Sequence, residues 1–317
     1  MDKKYGYALG GGGGKIGFSA SVVYNLYKEH GIFPEVISGI SSGGLVGIMT
    51  ATGQLEALKH LLTEEVTNDY IYKKRGYVHY GWRLLKHVVG FQDPLQGLYD
   101  NTPLKELLHS YIHGKTLLCD YYCGIVDIEA DVFIHVHIPA GNVLAGKNYD
   151  WWLNAILATT AIPIIFQPVK YDGRTYVDGG IHHHTPFTPL RDILLSGQAN
   201  SLIAVSMLDS GLPDRCGHIP NKKVDDDIDK AAIVVQGLLD RSAEAELYQY
   251  ELINHIAKNH GDFEYGETLF RYYPGAVFRP NVKLNNSLDF NFENMKLDWE
   301  HGEKIIERVK SQKDLTL

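Results

Sequence analysis

Ser41 stands in Gly39-Ile40-Ser41-Ser42-Gly43, just after the apolar pair Val36-Ile37 and just before Gly44, Leu45, Val46, Ile48 and Met49. A strand that breaks into a helix at Gly-x-Ser-x-Gly holds the serine on a strained turn with its hydroxyl exposed, the setting of a nucleophile. The glycines at 39 and 43 let strand and helix crowd together there. A neutral serine attacks poorly and needs a base within hydrogen-bond reach. Asp178 is a candidate. It opens Asp178-Gly179-Gly180 after Val169 to Val177, which reads as a hairpin turning at Asp172-Gly173. Attack on a carbonyl also needs donors for the oxyanion. The run Gly10 to Gly14 lies between the strand-like Tyr5 to Leu9 and the helix-like Phe18 to Leu26. It would present a row of backbone N–H groups at a helix N-terminus. Such donors suit an oxyanion or a phosphate, and the residues alone leave both open.

Two rival chemistries use the same residues. Gly12-Gly13-Gly14-Lys15-Ile16-Gly17 satisfies Gly-x-Gly-x-x-Gly, and Glu35 lies near the distance of a ribose-binding acid. A dinucleotide site wants that acid at the end of the second strand, whereas Glu35 begins it. A Walker-type phosphate loop has Leu9 where its first glycine belongs and Ile16 where Ser or Thr follows the lysine. His182-His183-His184 could supply the base of an α/β-hydrolase triad, in the order Ser, acid, His. Acid and base four residues apart would be an unusual arrangement, and too few strands precede Ser41 for that fold. The same histidines, or His135 and His137 on one strand face, lack a carboxylate or cysteine at ligand spacing. No metal or organic cofactor is therefore expected.

The three motifs, in this order, resemble the patatin-like phospholipase family. Its Gly-rich loop corresponds to Gly11 to Lys15, its nucleophile turn to Gly39 to Gly43, and its Asp-Gly-Gly to Asp178, Gly179 and Gly180. Ala158-Thr159-Thr160-Ala161-Ile162-Pro163 with Phe166 and Pro168, Gly97 to Leu104, Arg279-Pro280 and Ser287 to Phe290 are similar as well. The similarity covers about residues 5–310. Ile16, Ser21 and His184 depart from the pattern without removing a reacting group. The resemblance implies a Ser41–Asp178 dyad without histidine, an oxyanion hole from the N–H groups of Gly12, Gly13 and Gly14, and a lipid or lysolipid ester as substrate. It also implies a three-layer architecture.

The remaining elements agree with an α/β fold. Cys123 to Ile128 and Ser201 to Ser206 read as buried strands, and alternation with helices suggests a mostly parallel sheet covered on both faces. Ile228 to Ile256 and Leu297 to Val309 carry helical spacing, and 211–224 reads as a loop. One domain over 1–317 is expected, with a C-terminal helical part from about 225. Three cysteines argue against a disulfide framework, and no run approaches a membrane span. A cytoplasmic protein follows. A net charge of −8 disfavours nucleic acid. Charge reverses locally in an insert at about 69–93, where Lys73, Lys74, Arg75, Arg83 and Lys86 interleave with Tyr70, Tyr72, Tyr77, Tyr80 and Trp82. Basic heads on aromatic surroundings suit a lipid interface, so peripheral membrane contact through 70–87 is expected. Nothing in the sequence sets an oligomeric state.

Overall fold

The computed structural model describes residues 3–74, 97–183, 185–207, 245–265 and 268–309. The sheet is built outward from β1 (Tyr5–Leu9), whose alternation sets two cores. Tyr5, Tyr7 and Leu9 enter one and Ala8 the other. Its parallel neighbours are β2 (Pro34–Gly39) and, far along the chain, β9 (Ser201–Val205). Two short strands, β3 (Lys73–Lys74) and β4 (Tyr99–Asp100), pair separately. Next in the chain come β5 (Asp120–Asp127), β6 (Val132–Ile138), β7 (Val169–Tyr171) and β8 (Arg174–Asp178). A small hairpin, β10 (Phe263–Tyr265) with β11 (Thr268–Phe270), precedes β12 (Gly275–Phe278). The eight-stranded sheet runs β12-β9-β1-β2-β5-β8-β7, with β6 on β5.

Helices cover both faces, as the sequence suggests. On the larger core lie α1 (Ile16–His30), α2 (Ser42–Ala51) and the helices Thr102–Ile112, Tyr149–Ala158 and Phe292–Ile306. Opposite, Thr188–Ser196 and a helix over 245–260 bury Leu190, Ile193, Leu194 and Leu247. The expected hairpin turn is present, with Asp172 at φ 49° and Gly173 at φ 75° between paired Tyr171 and Arg174.

Several boundaries differ from expectation. β5 begins at Asp120, three residues before Cys123. The last helix begins at Phe292 rather than Leu297, because the Asn291 side chain accepts the Glu293 N–H and caps it. Tyr72, read as an interfacial aromatic, is buried. It stacks on Tyr99 with ring centres 4.3 Å apart and packs against Phe166 and Phe290. Lys73 and Lys74 are exposed. The rest of the basic insert from Arg75 to Asp93, the 211–224 stretch and the expected helical segment from Ile228 up to residue 244 lie outside the described residues. Among the described residues no helix is long and apolar enough to cross a membrane.

One register places the site. β6 takes one edge of β5 from Tyr121 to Asp127. The other edge is shared: β2 runs parallel to it as far as Gly39, opposite Cys123, and β8 runs antiparallel to it as far as Asp178, opposite Ile125. The C-terminal ends of β2 and β8 therefore converge head to head across Gly124.

Candidate active site

Ser41 occupies the turn between β2 and α2 at φ 54°, ψ −130°. Positive φ in a residue with a Cβ costs about 1–3 kcal/mol and persists only where surroundings over-determine it. They do so here. The Ile40 N–H donates to the Leu9 carbonyl at 3.1 Å, and the Gly43 N–H to the Ile40 carbonyl at 2.9 Å. The Ser41 N–H donates to Thr159 Oγ1 at 3.1 Å, and that hydroxyl donates to the Gly124 carbonyl at 2.7 Å. Gly43 is required by space: a Cβ there would run into the Leu9 and Gly10 carbonyls.

Asp178 ends β8, with its N–H on the Ala161 carbonyl at 3.0 Å. The same short segment, Thr159 to Ala161, thus fixes the backbone of both Ser41 and Asp178. The carboxylate is 1% exposed. Its Oδ1 accepts the Gly180 N–H at 2.7 Å, while Oδ2 is buried and has no hydrogen-bond partner among the described residues. Burial pushes its pKa up to about 7, against the smaller lowering by the Gly180 N–H and the Ser41 hydroxyl. Ser41 is thus near enough to act on the carboxylate, yet the lone Oδ2 shows that the hydrogen bond is not closed. Such pairs are often loose without substrate and tighten around it.

The glycine loop is less uniform than its sequence. The Gly10 N–H ties to the Val205 carbonyl at 3.0 Å, Gly13 sits at φ 56°, and Gly13–Lys15 form one tight turn into α1. Gly12, Gly13 and Gly14 are not equal as donors. The Gly14 N–H already donates to the Ser287 carbonyl at 2.7 Å. Those of Gly12 and Gly13 have no intramolecular partner among the described residues.

The rival sites are not assembled. Pairing of Gly6 with Val36 and of Leu9 with Gly39 puts Glu35 at the opposite end of the sheet from the loop, exposed. A dinucleotide's ribose and pyrophosphate could not reach both. His183 Nδ1 lies 3.1 Å from Glu246 and His182 Nε2 lies 4.0 Å from Asp131. His184 is outside the described residues. His135 is half-buried, with its Nε2 inaccessible, and its pKa falls to about 4, chiefly by desolvation. Among the described residues no three His, Cys, Asp or Glu side chains converge as a metal site.

Ser41, Ser42 and Gly13 line a cavity whose surface is almost wholly apolar. Leu45 and Met49 line it along α2, facing Leu104, Leu108 and Tyr111 of the opposing helix. Residues 41, 45 and 49 share one helix face, one and two turns apart, or about 6 and 12 Å. That spacing was readable in the sequence. Thr159 and Ser287 were not, since each acts on backbone brought together only by the sheet.

Fold and site together define a three-layer α/β protein with a Gly-x-Ser-x-Gly elbow facing a buried aspartate. The chain belongs to the patatin-like phospholipase family, whose model matches residues 7–191. It is 26% identical over 162 residues to a patatin-like phospholipase domain-containing protein of Aspergillus oryzae, covering 50% of this chain and 21% of that protein. It is 23% identical over 195 residues to the uncharacterized protein YqhO of Bacillus subtilis, covering 55% of this chain and 63% of YqhO. It thus spans less than two thirds of either relative. The crystal structure of VipD from Legionella pneumophila matches with a TM-score of 0.42 at 12% identity, over 96% of this chain and 66% of VipD.

Proposed function

We propose that the protein is a lipid acyl hydrolase of the phospholipase A or lysophospholipase type, with Ser41 as nucleophile and Asp178 as base. The observation that carries this reading is the strained Ser41, which lines an apolar cavity and lies beside a fully buried carboxyl whose pKa burial raises to about 7. Membership of a lipid acyl hydrolase family supports it. In this scheme Ser41 Oγ bonds to the ester carbonyl carbon and its proton passes to Asp178 Oδ2. The carbonyl oxygen becomes an oxyanion held by loop N–H groups. Collapse breaks the bond to the leaving alcohol, which takes the proton from Asp178. Water then gives a proton to Asp178 as its oxygen bonds to the acyl carbon; the bond to Ser41 Oγ breaks, Oγ takes the proton back from Asp178, and the fatty acid is released. Release of fatty acid from phosphatidylcholine or lysophosphatidylcholine vesicles tests the reading; no release from these or from any acyl ester contradicts it.

In this reading the acyl chain runs along α2, past Leu45 and Met49, which line the apolar cavity together with Ser41. Met49→Trp should block it two turns below Ser41. Hydrolysis of a sixteen-carbon p-nitrophenyl ester should fall at least about 10-fold, with the four-carbon ester within about 3-fold of wild type. Equal behaviour of both esters would place the chain elsewhere.

Lys73 and Lys74, exposed where the basic insert begins, support contact with an anionic membrane surface through residues 70–87. Lys73→Glu with Lys74→Glu should weaken sedimentation with phosphatidylglycerol vesicles several-fold at low salt. Unchanged binding removes these residues from any such contact.

A further inference from the structure

Ser287 lies in the segment that closes over the glycine loop, beyond the residues matched by the family model. It lines the same cavity as Ser41 and Gly13. Only 7% of it is exposed, and its hydroxyl oxygen has no hydrogen-bond partner among the described residues. Buried hydroxyls are seldom left so, because water is lost without replacement. The surface of this cavity is almost wholly apolar, and none of its polar residues (Ser41, Ser42, Asn101, Tyr111, Thr160) partners the Ser287 hydroxyl, so the partner that hydroxyl awaits is a polar atom of the bound molecule. The fatty-acyl part of a lipid ester, the part that an apolar cavity takes, carries polar atoms only at its carboxyl end, and that end must lie at Ser41.

The Ser287 backbone is pinned in place. Its carbonyl accepts the Gly14 N–H, and its contact with Gly13 is so close that a Cβ on that glycine would collide with it. The turn around it is closed by the Leu288 N–H on Asn286 Oδ1 at 3.0 Å and the Asp289 N–H on the Asn286 carbonyl at 3.0 Å. The Asn285 N–H is held by the buried carboxylate of Asp298 at 3.1 Å, and the Phe290 N–H by Asn68 Oδ1 at 2.9 Å. A donor fixed in advance costs no reorganisation when charge develops.

Resting on the Ser41–Asp178 reading, we infer that Ser287 is a catalytic residue whose hydroxyl donates to the ester carbonyl oxygen in place of the Gly14 N–H that its own carbonyl has taken. As Ser41 Oγ bonds to the carbonyl carbon and its proton moves to Asp178, the carbonyl π pair moves onto oxygen. That oxygen then accepts from the Gly13 N–H and the Ser287 O–H. When it collapses, the C=O bond re-forms and the C–O bond to the leaving alcohol breaks.

Ser287→Ala removes the hydroxyl and keeps the carbonyl that holds Gly14, so it separates chemistry from structure. With p-nitrophenyl butyrate, kcat should fall about 100-fold. KM should stay within about 2-fold and the thermal midpoint within about 2 °C. The rate of labelling by a fluorophosphonate, whose P=O oxygen occupies the same place, should fall in parallel. Ser287→Cys, nearly the same size but a weak donor, should lie between, and serves if the alanine variant does not fold. Wild-type kcat in either variant, or a loss confined to KM or thermal midpoint, overturns the inference. If the fluorophosphonate does not mark Ser41 and Ser41→Ala still hydrolyses the ester, the underlying dyad fails and this assignment falls with it. If Ser41 is marked and Ser287→Ala is unaffected, the Ser287 assignment alone is wrong.

Discussion

Asp178→Asn is expected to abolish ester hydrolysis and, at pH 8, to yield a protein more stable than its parent. Asn keeps the shape of Asp and can still accept the Gly180 N–H, but it cannot take a proton from Ser41. The stability gain follows from where the carboxyl titrates. Its pKa in the folded chain is about 7, above the ordinary 3.8, because burial disfavours the charge. Between about pH 4 and 7 the folded state therefore holds more protons than the unfolded chain, and stability declines as pH climbs through that window. By pH 8 the buried charge costs up to roughly 4 kcal/mol; the neutral amide avoids that cost and gives back only the roughly 1–3 kcal/mol of an N–H left without a partner at the Oδ2 position. Below pH 4 the carboxyl is protonated in both states and the two proteins should have similar stability. Urea midpoints at pH 4 and pH 8 check this, and a variant no more stable than its parent at pH 8 would refute it. The same pKa fixes the activity profile. A general base must be deprotonated, so kcat/KM should rise through about pH 7, level above it and vanish below. An acidic limb near pH 4 would mean that Asp178 is not the base.

Ser41→Ala should remove at least about 10⁴-fold of kcat for any acyl ester, since neither nucleophile nor acyl-enzyme remains. Its fold should be intact, because the elbow is held by backbone contacts on Leu9, Thr159 and Gly43. Ser41→Gly carries a further expectation. Without a Cβ, φ 54° is no longer strained, and the variant should be equally inactive yet roughly 1 kcal/mol more stable than Ser41→Ala. Urea unfolding of the pair measures this; a glycine variant less stable than the alanine one would show that the elbow stores no strain.

The two side chains proposed to react could be singled out in the sequence because local chemistry marks them: a glycine-flanked serine between strand and helix, and an aspartate after a hairpin. Their meeting was not. It depends on β2 and β8 sharing one edge of β5 around Gly124, a register set by strands scattered along the chain. Thr159 looked like part of a helix end, and its role as the partner of the Ser41 N–H comes from that same convergence. The family resemblance implied donors at Gly12, Gly13 and Gly14, but a backbone carbonyl from Ser287 occupies the Gly14 N–H, and carbonyls carry no sequence signature. Tyr72 was misread because a tyrosine suits a lipid interface and an aromatic cluster equally well. Only packing tells the two apart.

The most direct test is mass-spectrometric mapping of a fluorophosphonate adduct on the purified chain, paired with fatty-acid release from lysophosphatidylcholine. One adduct is expected, on Ser41, formed by the wild type and absent from Ser41→Ala, with release lost in Ser41→Ala and Asp178→Asn. An adduct on another residue, or release retained in either variant, would contradict it.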